Sequence, residues 1–188
     1  MRQVTQVTQV TRAAVFLDRD GVINRAFVRN GKPYPPSSLQ ELEILPGVYE
    51  SLNALKALDY FLIVVTNQPD VARGTTSRTL VESMNDYLCS VLPLDTILTC
   101  FHDTADQCSC RKPKPGLLFT AAHTFGLNLS ASFMVGDRWR DIEAGKQAGC
   151  KTFFIDYGYA EQQPESYDFC IGSLQEATQI IVQKVHLE

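Results

Sequence analysis

Residues 13–21 constrain this chain more than any other stretch. A short apolar run, Ala13 to Leu17, gives way at once to Asp18-Arg19-Asp20-Gly21. A run of that length bounded by a polar turn reads as a strand buried in a sheet. The two carboxylates then stand at its carboxyl end, the rim where open parallel sheets hold their ligands. Two carboxylates one residue apart repel unless a cation or a shared proton relieves them. A solvated polar turn at a strand end accommodates the same pair, so the rest of the chain has to decide between the two.

The pattern recurs downstream. Apolar runs at 61–65, 96–99, 133–135, 152–155 and 169–171 predict further strands, and helical spacing predicts helices over 47–58, 76–91, 115–125, 137–147 and 173–184. Between the first strand and the first helix lies a polar stretch, 24–43, whose Asn30-Gly31 and Pro33-Tyr34-Pro35-Pro36 read as a flap or hairpin plus a loop. Alternating strands and helices predict an α/β fold: a Rossmann-like, doubly wound parallel sheet with helices on both faces. The length of 188 residues suits one domain, 13–188, preceded by a flexible N-terminal arm, 1–12, whose Val-Thr-Gln repeat has no apolar partner nearby. A net charge of −4 argues against a broad nucleic-acid surface. No apolar run is long enough to span a bilayer, and residues 1–12 lack the apolar core of a secretory signal. The expectation is a cytoplasmic monomer with a small-molecule partner.

Three predicted strand ends carry polar groups to one rim: Asp18 and Asp20, Thr66-Asn67-Gln68, and Gly136-Asp137. Phosphoryl transfer needs a nucleophile, an acid for the leaving oxygen, a divalent cation and fixed donors for the equatorial oxygens. Asp18 suits the nucleophile and Asp20 the acid and base. Asp137 adds a hard oxygen ligand fit for Mg²⁺, and Asp141 follows one helical turn later. Thr66 offers a hydroxyl and Lys112 a point charge. A second cluster, Cys100, His102, Cys108 and Cys110, spaces four soft or borderline ligands on one loop. In a chain with no export signal that spacing favours a closed, structural Zn²⁺ site over disulfides, and it stiffens the loop delivering Arg111 and Lys112. Cys89 and Cys150 read as core thiols.

Asp18-Arg19-Asp20-Gly21, Thr66-Asn67-Gln68, Lys112-Pro113 and Gly136-Asp137-Arg138-Trp139-Arg140-Asp141 resemble, in order, the four motifs of the haloacid dehalogenase-like (HAD-like) phosphatases. Phe16 to Asn24, taken with Cys110-Arg111-Lys112-Pro113-Lys114-Pro115-Gly116, is similar to the D-glycero-D-manno-heptose 1,7-bisphosphate phosphatases and the related histidinol-phosphate phosphatases. The resemblance implies a Mg²⁺-dependent phosphoric monoester hydrolase working through an aspartyl-phosphate. Asp18 is then the nucleophile and Asp20 the acid and base. Mg²⁺ is held by Asp18, the backbone carbonyl of Asp20, and Asp137. Thr66 and Lys112 hold the phosphoryl group, and Asn67, Gln68, Arg111 and Arg138 face the substrate, a small phosphorylated sugar. Only residues 21–65 separate the first two motifs, which resembles the capless class. Two departures stand in the substrate shell. Pro69-Asp70 replaces the family's Ser-Gly, and Arg138 stands where lysine is common. Histidinol phosphate is the alternative substrate, and a phosphoacceptor receiver-type signalling module is the alternative of another class.

Overall fold

A computed structural model describes residues 12–185. In chain order the elements are β1 (Ala14–Leu17), β2 (Phe27–Arg29), β3 (Lys32–Tyr34), α1 (Val48–Ala57), β4 (Phe61–Asn67), α2 (Arg78–Val91) and β5 (Thr96–Cys100). They continue as α3 (Gly116–Phe125), β6 (Phe133–Gly136), α4 (Trp139–Ala148), β7 (Lys151–Ile155), β8 (Phe169–Ile171) and α5 (Leu174–Val185). The expected arm, 1–12, lies outside the described residues except for Arg12. That residue pairs with Asp59 at 2.5 Å and stacks its guanidinium on Phe61.

Six strands form one parallel sheet in the order β5-β4-β1-β6-β7-β8. The chain winds outward from β1 through β4 to β5, returns to the other side of β1 as β6, and winds outward again. This reversal beside β1 creates the crevice in which doubly wound sheets bind ligands. Strand alternation divides the core in two. Val15 and Leu17 point to one face, where they pack with Leu52 and Leu55 of α1 and Leu174 and Ile181 of α5. Ala14 and Phe16 point to the other, against Leu117, Leu118 and Ala121 of α3 and Ala144 and Ala148 of α4. All four β1 side chains are fully buried. Each large one contributes about 1.5–3 kcal/mol of burial free energy, so β1 is the rigid centre of the molecule. Only the β2–β3 hairpin and a short 3₁₀ turn, Leu39–Glu41, intervene before α1, so no cap domain covers the rim there.

The predicted strands and helices are all present, with shifted ends. β4 runs two residues past Val65, because Thr66 and Asn67 pair with Thr99 and Cys100 of β5. The helix expected from Asp137 begins instead at Trp139. Arg138 is extended (φ −126°, ψ 151°), and its N–H donates to Asp141 Oδ2 at 3.0 Å, which caps α4. Asp137 therefore stands on the loop before the helix.

Candidate active site

The carboxyl ends of β1, β4 and β6 meet at one buried point. The Asp18 N–H donates to the Val135 carbonyl at 3.0 Å, which ties the β1 turn to β6. Asp18 Oδ1 accepts from the Arg19 N–H and from Lys112 Nζ, both at 2.8 Å. The Lys112 ammonium also donates to the Val65 carbonyl at 2.7 Å and meets Asp141 Oδ1 at 2.6 Å. Carboxylate oxygens of Asp18, Asp137 and Asp141 lie within 4.8 Å of one another, all buried. Gly21 makes this crowding possible: at φ +93°, a Cβ there would fall 2.0 Å from Asp137 Oδ2.

Charge is the strain in this arrangement. Burial, then the neighbouring Asp141 carboxylate, push the Asp18 carboxyl up to about 6. Burial and the charges of Asp18 and Asp141 raise Asp137 well above the usual carboxylate range. Burial alone would depress the Lys112 ammonium, yet Asp141 and Asp18 outweigh it and raise it. One lysine stands among three carboxylates, and Asp137 Oδ1 is buried with no hydrogen-bond partner among the described residues. An unpaired buried carboxylate oxygen beside two more acids fits a hard divalent cation such as Mg²⁺.

Asp20 stands at the mouth of the crevice. Its carboxylate accepts from the Arg19 guanidinium at 3.1 Å, Asn24 Nδ2 at 2.9 Å and Gln68 Nε2 at 2.8 Å. Gln68 also donates to Thr66 Oγ1 at 2.9 Å, so the Thr66 hydroxyl keeps its own proton for another acceptor. The Asn67 amide grips the Lys112 backbone from both sides, accepting from its N–H at 3.1 Å and donating to its carbonyl at 3.0 Å. Both Asn67 and Gln68 line the cleft, but their amides are committed to protein.

Cations ring the cleft: Lys32 from β3, Arg73, Arg111, Arg138 and Arg140. They are not equivalent. Arg73 is held by Asp103 and Asp70, which neutralises the acidic departure at residue 70. Arg138 forms a two-pronged ion pair with Glu161. Arg111 donates to the His102 carbonyl at 3.2 Å. Arg140 stacks on Trp139 and has no carboxylate within 4.0 Å among the described residues. Burial and the positive charges of Arg138 and Arg111 lower its basicity.

The cysteine loop closes on itself. Cys100, Cys108 and Cys110 Sγ lie 3.3–3.7 Å apart, and His102 Nδ1 is 3.3 Å from Cys110 Sγ and 3.6 Å from Cys100 Sγ. A tetrahedral metal with bonds of about 2.3 Å to sulfur sets ligand–ligand edges of about 3.7 Å, so the four groups fit Zn²⁺. All three thiols are free.

Residues 109–177 match the HAD-hydrolase-like family model. A D-glycero-beta-D-manno-heptose-1,7-bisphosphate 7-phosphatase of Helicobacter pylori is 35% identical over 168 residues, 85% of this chain and 92% of that protein. The corresponding alpha-heptose enzyme of Burkholderia mallei is 38% identical over 154 residues, 76% of this chain and 78% of that one. This chain belongs to that family of HAD-like phosphatases. It is a phosphoric monoester hydrolase. The crystal structure of the Bordetella bronchiseptica D,D-heptose 1,7-bisphosphate phosphatase, complexed with magnesium and phosphate, superposes with a TM-score of 0.77 at 27% identity, covering 92% of this chain and 99% of that one. No helix among the described residues of this phosphatase is long and apolar enough to cross a membrane.

Of the residues singled out in the sequence, Asp18, Asp20, Thr66, Lys112 and Asp141 share the cleft, with Asp137 buried behind them. Arg111 and Arg138 line it, and the four zinc-type ligands converge. Cys150 is buried, but Cys89, expected in the core, is exposed on α2. Sequence reasoning missed Arg19, whose guanidinium is fully buried between Asp20 and Asn85, the latter at 3.1 Å. It also missed Tyr157, Tyr159 and Glu161, and their spacing carries no motif.

Proposed function

We propose that this phosphatase removes the 7-phosphate of D-glycero-D-manno-heptose 1,7-bisphosphate through an aspartyl-phosphate on Asp18, with Mg²⁺ and a structural Zn²⁺ as cofactors. The observation that carries this reading is the buried convergence of Asp18, Asp137 and Asp141 on Lys112, beneath a cleft ringed by cations. Asp18, the Asp20 backbone carbonyl and Asp137 would hold the magnesium, and Cys100, His102, Cys108 and Cys110 the zinc. When bound, Mg²⁺ supplies charge neutralisation for the acids and the phosphoryl oxygens.

The Thr66 hydroxyl and the Lys112 ammonium receive the equatorial oxygens. An Asp18 carboxylate oxygen attacks phosphorus, the ester P–O bond breaks, and Asp20 gives its proton to the departing sugar oxygen. Asp20, now ionised, takes a proton from water. The water oxygen attacks phosphorus, and the acyl-phosphate bond breaks to release phosphate and free Asp18. Asn67 fixes the Lys112 backbone, and Gln68 orients Asp20 and Thr66. Arg111, Arg138, Arg140 and Lys32 gather positive charge suited to a second phosphate. In this reading the enzyme is a cytoplasmic monomer built as one domain.

The relatives support the heptose reading and add nothing to the histidinol-phosphate or receiver-module readings. The test is turnover of the heptose bisphosphate against histidinol phosphate, followed by ³¹P NMR. The expected result is loss of the 7-phosphate signal with the 1-phosphate retained, and a higher kcat/KM than for histidinol phosphate. Preference for histidinol phosphate overturns the assignment.

A further inference from the structure

The segment Tyr157-Gly158-Tyr159-Ala160-Glu161 follows β7 and belongs to no helix or strand. It nevertheless touches the first and fourth motifs and the flap. The Tyr157 hydroxyl donates to the Gly21 carbonyl at 3.0 Å, on the turn whose missing Cβ admits Asp137. The Tyr159 hydroxyl donates to Asp137 Oδ2 at 2.9 Å, and Tyr159 is itself buried. The Ala160 N–H donates to the Gly31 carbonyl at 2.8 Å, at the tip of the β2–β3 flap. Glu161 pairs with Arg138, the residue next to Asp137. Contact with the flap is close: Gly31 has φ +73°, and a Cβ there would lie 2.6 Å from the Ala160 Cβ.

We infer that residues 157–161 are a strap linking the flap to the metal-binding carboxylate, with Tyr159 as the positioning residue that fixes Asp137. The inference rests on the magnesium reading given above. Asp137 offers two oxygens. Tyr159 occupies Oδ2, and Oδ1 is the buried oxygen without a partner. A phenol donates one hydrogen bond, so it restrains the carboxylate through one oxygen and leaves the other, buried and unpartnered, open to a cation. Because the next residue along the strap bonds the flap tip, displacing the flap displaces the group that aims Asp137. Coupling of this kind is reciprocal: flap position alters magnesium affinity, and bound magnesium alters flap position.

The test is Mg²⁺ titration by calorimetry on the full chain freed of magnesium by dialysis, alongside kinetics. Tyr159→Phe removes one hydroxyl and should weaken Mg²⁺ binding about 10- to 100-fold, the range for losing an outer-shell partner. The KM for Mg²⁺ should rise in step, while kcat at saturating Mg²⁺ falls much less. Gly31→Ala, on the flap and remote from the acids in sequence, should weaken binding about threefold or more in the parent and add nothing in the Tyr159→Phe background. A Tyr159→Phe Kd within about twofold of the parent overturns the positioning role, and a Gly31→Ala effect that simply adds to it overturns the flap link. Asp137→Asn is the control. If it binds Mg²⁺ as the parent does, the metal reading itself fails. If it loses binding while Tyr159→Phe does not, only the strap is refuted.

Discussion

The acid centre and the thiol loop are both clusters of metal-type ligands, yet they are assembled in opposite ways. Asp18, Lys112, Asp137 and Asp141 come from across the chain and meet because strand ends and a helix start bring them together. Cys100, His102, Cys108 and Cys110 come from one stretch of eleven residues, and His102 is exposed. The fold holds the first site in place, and Lys112 offsets part of its charge. The second set hangs from Cys100 at the end of β5 and from a loop held by exposed hydrogen bonds, from Lys114 to the Gln107 and Cys108 carbonyls and from Arg111 to the His102 carbonyl. A ligand set imposed by a rigid sheet survives loss of its ion, whereas a ligand set on a loop depends on it.

The largest expected effect belongs to the acid centre. Asp18→Asn should lower turnover by about 10⁴-fold or more, the scale on which removing a nucleophile acts. The amide cannot form the acyl-phosphate, while the buried hydrogen bonds that shape the turn can largely persist. Circular dichroism should therefore match the parent, and the metal-free melting temperature at neutral pH should be no lower, because the amide carries no charge to repel Asp141. Near-parent turnover in this variant contradicts the mechanism.

Zinc loss should act more weakly on rate and more strongly on the fold. Lys112 follows Cys110 by two residues, and Asn67 grips its backbone. Cys108→Ser should release zinc, measurable by elemental analysis, and lower the Tm by several degrees. It should also reduce kcat/KM by about 10- to 100-fold through misplacement of the lysine. Dialysing magnesium away should stop turnover reversibly with a small change in Tm. If both removals have the same signature, the contrast between the two sites is lost.

Protons sharpen the contrast. With the Asp18 carboxyl pushed up to about 6 by burial and Asp141, protons compete with Mg²⁺ below that pH. Apparent Mg²⁺ affinity should fall up to about tenfold per pH unit below 6, with proton release visible by calorimetry in two buffers. The same shift affects stability. The folded protein holds more protons than the unfolded chain between the ordinary carboxyl value of 3.8 and about 6, so metal-free stability declines as pH rises through that window. In the thiol loop, burial pushes Cys100 up to about 12, so protons oppose zinc over a far wider range. Reloading zinc into the stripped protein should therefore improve steadily with pH through neutrality and beyond.

Much of this was legible in the sequence because the chemistry sits where apolar runs stop. A buried strand needs a continuous apolar run, so its end is sharp, and Asp18, Thr66 and Asp137 mark three such ends. The cysteine loop was legible for a different reason, because its ligands are neighbours in the chain. What stayed hidden was partnership across distance. Nothing in the spacing told that Glu161 would pair with Arg138, that Tyr159 would reach Asp137, or that Asn67 would turn inward to the Lys112 backbone. Arg19 sits between two acids in sequence, where a solvent-facing role is natural. Its full burial against Asn85 depends on where α2 packs.

The smallest prediction separates the two arginines of the fourth motif. Sequence alone points to Arg138, yet its guanidinium is held by Glu161, so gripping a phosphate means giving up or sharing an existing pair. Arg140, two residues on, has no carboxylate partner among the described residues, stacks on the Trp139 face and already stands in the positive field of Arg138 and Arg111. An anion placed there relieves repulsion as well as forming a charge-assisted hydrogen bond. Arg140→Ala should raise KM for the heptose bisphosphate about three- to tenfold, the scale of one ordinary net hydrogen bond. It should leave KM for the 7-monophosphate nearly unchanged, and Arg138→Ala should move the bisphosphate KM less. The reverse ranking would mean that Glu161 orients Arg138 toward the substrate and does not cancel it.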